Sequence, residues 1–205
     1  MNSDYEYVDP DNYYTDSSTG LLKNLLNITS KETLALMEYR ITAIATDKIF
    51  ENPPTKINSD TIFKIHKQLF QDIYSWAGQP RTVEISKPGR QFHPTKYFPT
   101  ALQYIDNLIS KYKNIPPTDK HPISKSLAEL LDCINELHPF REGNGRTQRI
   151  LITLLAKEKN YSLDLNPPDN QTTYTKYMNG TINQDIKLLT DLIEFQLIPI
   201  PRKKN

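Results

Sequence analysis

Apolar residues recur at three- and four-residue spacing along most of this 205-residue chain, the signature of amphipathic helices. Leu34, Met37, Ile41 and Ile44 mark one face of "KETLALMEYRITAIATDKIF", with Thr29 or Ser30 as the N-cap. "ENPPTKI" breaks that pattern. Ser59 or Asp60 opens "TIFKIHKQLFQDIY", where Ile62, Ile65, Leu69 and Ile73 share a face and Gly78 follows as a C-terminal stop. "YFPTALQYIDNLISKY" is helical again, and "NIPPTDKHP" reads as a loop. "LAELLDCINEL" and "ILITLLAKE" predict two buried helices, and two weaker ones cover roughly 171–180 and 183–197.

The period changes once. In "RTVEISKPGRQFHP", Val83 and Ile85 alternate with Thr82, Glu84 and Ser86, as in a strand. Pro88 and Gly89 suit the centre of a type II turn, and Phe92 resumes on the return. The expected architecture is all-α with one small β-hairpin.

Composition narrows the picture. The length suits one domain, here expected over 21–200, with an acidic, tyrosine-rich segment at 1–20 and a basic tail at 201–205. Residues 1–20 hold Asp4, Glu6, Asp9, Asp11 and Asp16 and no Lys or Arg. Against a formal net charge of +1, the remainder therefore carries +6. Those basic residues are not clustered as a nucleic-acid stripe would be. The longest dense apolar run, "ILITLLA", is far short of the roughly 20 residues that span a bilayer. The single cysteine, Cys133, permits no internal disulfide. With no apolar leader in "MNSDYEYVDPD", a cytoplasmic location is expected.

One stretch departs from all this. Between the two buried helices stands "HPFREGNGRTQR", residues 138–149, which packs three arginines, a glutamate and a histidine into twelve residues. Pro139 disfavours helical geometry at His138, so the preceding helix should end there. Gly143 and Gly145 flank Asn144, a residue that tolerates positive φ, so successive N–H groups can turn inward as an anion-binding nest. The next helix begins near Gly145 and aims its N-terminus at the same place. Arg146 and Arg149 lie three apart in its first turn, where cations oppose the helix dipole at about 0.3–1 kcal/mol each. A bound anion removes that conflict. Glu142 would repel phosphates unless a divalent cation such as Mg²⁺ joined it to them. Polyphosphate, metal, electrostatic clamp and a histidine base are the parts of phosphoryl or nucleotidyl transfer. Read alone, the histidine could merely end a helix and the glycines merely turn a corner.

The whole string resembles the signature of the Fic family, His-x-Phe-x-(Asp/Glu)-Gly-Asn-Gly-Arg-x-x-Arg, at every fixed position. The resemblance extends to the helical layout and to "DIYSWAGQPRTVEISK". It implies a Fic-type helical bundle that transfers AMP from ATP, with Mg²⁺ or Mn²⁺, to a Tyr, Thr or Ser hydroxyl of a protein. His138 resembles the general base, Phe140 the core anchor and Glu142 the metal ligand. Gly143, Asn144 and Gly145 resemble the anion hole, and Arg146 and Arg149 the holders of the outer phosphates. The hairpin, with Val83, Glu84, Ile85, Ser86 and Lys87, resembles the family's flap, an edge that pairs with the target backbone. Tyr97 resembles a position beside the nucleotide. Glycine at 145 favours AMP transfer over the phosphate-transferring branch, which carries lysine there. A silent ATP-binding or docking module on the same fold is the alternative, as is transfer of phosphate or of another nucleotide.

Many members of the family are silenced by a helix carrying (Ser/Thr)-x-x-x-Glu-(Gly/Asn). Around Glu38, Glu51 and Glu194 the chain shows only incomplete versions. The resemblance then implies a separate small inhibitor, as in toxin–antitoxin members, with an unregulated enzyme or a degenerate internal brake as the rival, and a protein target such as a bacterial type II topoisomerase subunit, with no direct nucleic-acid or membrane partner.

Overall fold

The computed structural model describes residues 6–7, 12–87, 90–167 and 169–201. In chain order its elements are β1 (Glu6–Tyr7), α1 (Lys31–Glu51), α2 (Asp60–Phe70), β2 (Ile85–Lys87), β3 (Arg90–Gln91), α3 (Phe98–Lys113), α4 (Lys120–Leu137), α5 (Asn144–Glu158), β4 (Tyr161–Ser162), α6 (Gln171–Asn183), α7 (Ile186–Gln196) and β5 (Ile198–Pro199). The fold is all-α. Helices α4 and α5 occupy its centre: Leu127, Ala128, Leu130 and Leu131 on one, and Leu151, Ile152, Leu155 and Ala156 on the other, are fully buried. Around them, α3, α6 and α7 pack against α4, and α2 packs against α5.

Several details depart from the sequence reading. Ser30 caps α1 through its side chain, as the pattern predicts, but Ile44 is 59% exposed and Leu36 and Tyr39 share that exposure. The buried row is Leu34, Thr42 and Ile49, with Ile41 and Ala45 partly covered. The helix carries two apolar rows, and packing selects the second. Helix α2 stops at Phe70, four residues early, because Ile73 and Tyr74 turn back into the core. Gly78 adopts φ +77° in the loop beyond rather than capping the helix; a Cβ there would lie 2.7 Å from Lys67 Cβ. Helix α4 begins at Lys120, so "KHP" belongs to its first turn, where proline's missing N–H costs nothing.

The hairpin is also more than a hairpin. Strands β2 and β3 pair antiparallel, Ser86 with Gln91 and Lys87 with Arg90. The expected turn at Pro88–Gly89 lies outside the described residues. On the other edge of β2, β1 adds a third antiparallel strand, and β4 with β5 makes a separate ladder. Strands this short carry no periodic signal. Within the acidic, tyrosine-rich segment, Tyr14 is buried, edge-on to Trp76 at 5.5 Å, and its hydroxyl accepts the Thr82 N–H at 3.0 Å.

Candidate functional site

Helix α4 ends at His138 in the left-handed conformation, φ 44°. Pro139 excludes a further helical turn, and the reversal buries the imidazole at the start of the 138–149 loop. The ring stacks on Phe92 at 3.9 Å. Its Nδ1 lies 3.3 Å from the Asn135 carbonyl. A carbonyl only accepts, so Nδ1 is the donor in this contact, and in a neutral ring the lone pair is then on Nε2.

The loop beyond is fixed from several directions. Phe140 is fully buried and stacks on His66 at 3.7 Å. The Asn144 side chain accepts from the Phe140 N–H at 2.9 Å and donates back to its carbonyl at 2.8 Å. Asn144 is thus a staple, and what it can offer an anion is its backbone N–H. The left-handed residue is Gly143, φ 82°, not Asn144, which opens α5. A Cβ at 143 would fall 2.4 Å from the Phe70 ring, so only glycine fits. Helix α5 has no side-chain N-cap. Its first-turn N–H groups therefore lack intrahelical partners and point with the helix dipole at the loop. The Gly143 N–H meets Glu142 Oε1 at 2.9 Å, so a carboxylate of the chain itself lies where an anion would bind.

Residues outside the motif complete the frame, and sequence reasoning passed over most of them. His66 on α2 donates from Nε2 to the Glu142 carbonyl at 3.0 Å and accepts at Nδ1 from the Gly78 N–H at 2.8 Å. Burial pushes its pKa down to about 3, so it stays neutral. Arg81, fully buried, donates Nε to the His138 carbonyl at 2.8 Å, Nη1 to the Val83 carbonyl at 2.6 Å and Nη2 to the His93 carbonyl at 2.6 Å. One guanidinium thereby ties the motif loop to the hairpin. The only local hint of this role is its place in "QPRTVEIS".

The two motif arginines diverge. Arg146 Nη2 pairs with Glu38 on α1 and lies 3.6 Å from Glu142 Oε1, over the Phe70 ring. Glu38 also accepts from the Tyr74 hydroxyl at 2.5 Å; burial, reinforced by this carboxylate, holds that phenol above its ordinary range. Arg149 instead sits over the Tyr174 and Tyr177 rings, with Nη1 3.5 Å from the Tyr177 hydroxyl. Of the three glutamates singled out as partial brake motifs, only Glu38 reaches the loop. Glu194 pairs with His121 at 2.6 Å, and Glu51 is exposed at the end of α1.

Of the expected flap residues, Ile85–Lys87 form β2, whereas Val83 and Glu84 precede it. Glu84 accepts from the Thr95 N–H at 3.0 Å and its hydroxyl at 2.7 Å, and pairs with Arg81 at 3.1 Å. Tyr97, half exposed in a 3-10 turn before α3, has Lys96 over its ring. Among the described residues no group of three or more His, Cys, Asp or Glu side chains could hold a metal alone. Glu142, with its side chain 36% exposed beside the bare helix N-terminus, fits a cation whose remaining ligands are phosphate oxygens and water.

The Fic/DOC family model matches residues 56–156, from just before α2 into the last turns of α5. The chain is 34% identical over 170 residues to the protein adenylyltransferase VbhT of Bartonella schoenbuchensis, covering 81% of this chain and 35% of that protein. It is 32% identical over 143 residues to the probable protein adenylyltransferase Fic of Escherichia coli, covering 70% of this chain and 71% of that one. In fold it matches BepC of Bartonella tribocorum, solved with bound AMPPNP, at a TM-score of 0.81 and 18% identity over 93% of this chain and 98% of that chain. The chain spans about a third to a half of the length of the first curated relatives it matches. The family match over 56–156, which takes in the whole 138–149 string, and the 32% identity to a relative covered over 71% of its length make this chain a member of the Fic/DOC family.

Proposed function

We propose that this chain is a protein adenylyltransferase that moves AMP from ATP to a Tyr, Thr or Ser hydroxyl of a protein. The observation that carries the reading is one juxtaposition. An imidazole with its proton on Nδ1 is buried at the start of a loop whose far end is the uncapped N-terminus of α5. Nε2 of His138 takes the proton of the target hydroxyl as its oxygen bonds to the α-phosphorus. The bond from that phosphorus to the α–β bridging oxygen breaks, and pyrophosphate leaves. The N–H groups of Gly143, Asn144 and Gly145 receive the α- and β-phosphates, a role that requires Glu142 to give up the Gly143 N–H. Glu142 is then available to Mg²⁺ or Mn²⁺, which supplies charge neutralisation between phosphates when bound. Arg146 and Arg149 hold the outer phosphates, Tyr97 lies beside the nucleotide, and Val83–Lys87 dock the target.

ATP labelled at the α-phosphate, incubated with the chain and a lysate, should leave label on protein, and excess chelator should prevent this. Transfer of a γ label would instead support the phosphotransferase reading, and transfer of neither would support a silent module. A topoisomerase subunit is the target class to assay first.

Regulation by a separate small protein belongs to the same reading. Arg149 makes no salt bridge among the described residues and faces two tyrosine rings, so a glutamate brought by a partner helix could take the place of a phosphate there. The purified chain should then be active without an activating mutation.

A further inference from the structure

We propose that Glu6–Tyr7 is a built-in occupant of the flap's docking edge, and that a protein target adds its backbone to β2 only by displacing it. This rests on the reading of Val83–Lys87 as the docking flap. An antiparallel strand points the peptide groups of alternate residues to opposite sides. The Phe92 N–H donates to the Ile85 carbonyl at 3.1 Å, so Ile85, and Lys87 two residues on, face β3. Ser86 therefore faces the other way. The register sets Glu6 opposite Ser86 and Tyr7 opposite Ile85, which makes Glu6–Ser86 the hydrogen-bonded pair. The one residue of Ile85–Lys87 that can offer its N–H and C=O to an incoming strand is thus already engaged by the chain's own backbone.

A two-residue ladder has little stability by itself. The chain supplies the remainder as a tether. Tyr14, buried against Trp76 and bonded to Thr82, stands seven residues beyond Tyr7. A short tether of this kind gives an effective concentration on the order of millimolar. The occupant is then a threshold. A passing extended segment that could make only the same two-residue ladder loses to it, and a target that makes a longer ladder, with side-chain contacts, displaces it.

The test compares the full chain with Glu6→Pro, which deletes the N–H facing Ser86. Tyr7→Pro is the control, because Tyr7 is the pair whose N–H points away from β2 and proline tolerates an extended neighbour. Amide exchange at Ser86 should be at least tenfold faster in Glu6→Pro than in the wild-type chain or the control. A synthetic peptide of residues 2–11, added to isotopically labelled protein, should shift the Ile85–Lys87 amides of Glu6→Pro at a concentration at least tenfold below that needed for the wild type. Equal Ser86 exchange in all three chains, or equal peptide response in wild type and Glu6→Pro, overturns the proposal. Neither readout uses AMP transfer. Failure to transfer any label would count against the proposed reaction and leave the occupancy result standing.

Discussion

The loop at 138–149 and the flap at 83–92 face the same space but are held in opposite ways. The loop is fixed by side chains from three helices. Asn144 on α5 staples Phe140, His66 on α2 holds the Glu142 carbonyl, Phe70 leaves room only for Gly143, and Glu38 on α1 takes Arg146. The flap is anchored at its base by Arg81, Glu84 and the Phe92–His138 stack, and beyond that by ladders two residues long. On the proposed reading, the difference follows from what each region would do. Phosphate geometry and in-line attack punish errors of an ångström, so the loop is determined several times over. On the same reading, accepting a backbone from another protein needs an edge that can exchange partners, and the flap is held weakly where that partner would arrive.

The comparison is broken most completely at His138. His138→Ala should lower AMP transfer by about 10²–10⁴-fold while leaving ATP affinity, measured calorimetrically, nearly unchanged. Arg81→Met removes the link between the two regions and strands the carbonyls of His138, Val83 and His93 in the interior. A loss of about 3–5 kcal/mol of stability is expected in denaturant titration.

His66 sharpens the comparison through pH. Its folded pKa, about 3, lies below its unfolded value near 6.5. Between those values the unfolded chain binds a proton that the native chain excludes, so stability falls as pH drops through that window. His66→Phe should be less stable at neutral pH. It should also show a shallower decline between pH 6.5 and 4 than the wild type, by on the order of 2 kcal/mol.

Glu38→Ala frees one edge of the Arg146 fork. Because a guanidinium has donors to spare for phosphate, Glu38 is expected to position Arg146, and the variant should be about tenfold slower, near 1.4 kcal/mol of transition-state stabilisation. A faster Glu38→Ala enzyme would identify Glu38 as an internal brake and count against an external one. The smallest effect is expected at Glu84→Gln. Its ion pair with Arg81 is 41% exposed on the glutamate side, so less than about 1 kcal/mol should be lost.

The sequence by itself determined the order of helices, the position of the loop between α4 and α5, and which polar groups residues 138–149 bring there. These are local matters. A proline stops a helix at the residue before it, glycine alone turns left-handed without strain, and an uncapped first turn carrying arginines asks for an anion. Tertiary structure alone decided which apolar row of α1 is buried, because Leu34 and Ile41 compete with Leu36 and Ile44 at nearly the same spacing. It alone brought Glu38 to Arg146 across 108 positions and His66 to Glu142 across 76. It also laid β1 on the flap, two residues whose pattern is too short to read. Such pairings are set by which surfaces pack together, and no periodicity along the chain encodes the distance between partners that meet only after the helices have assembled.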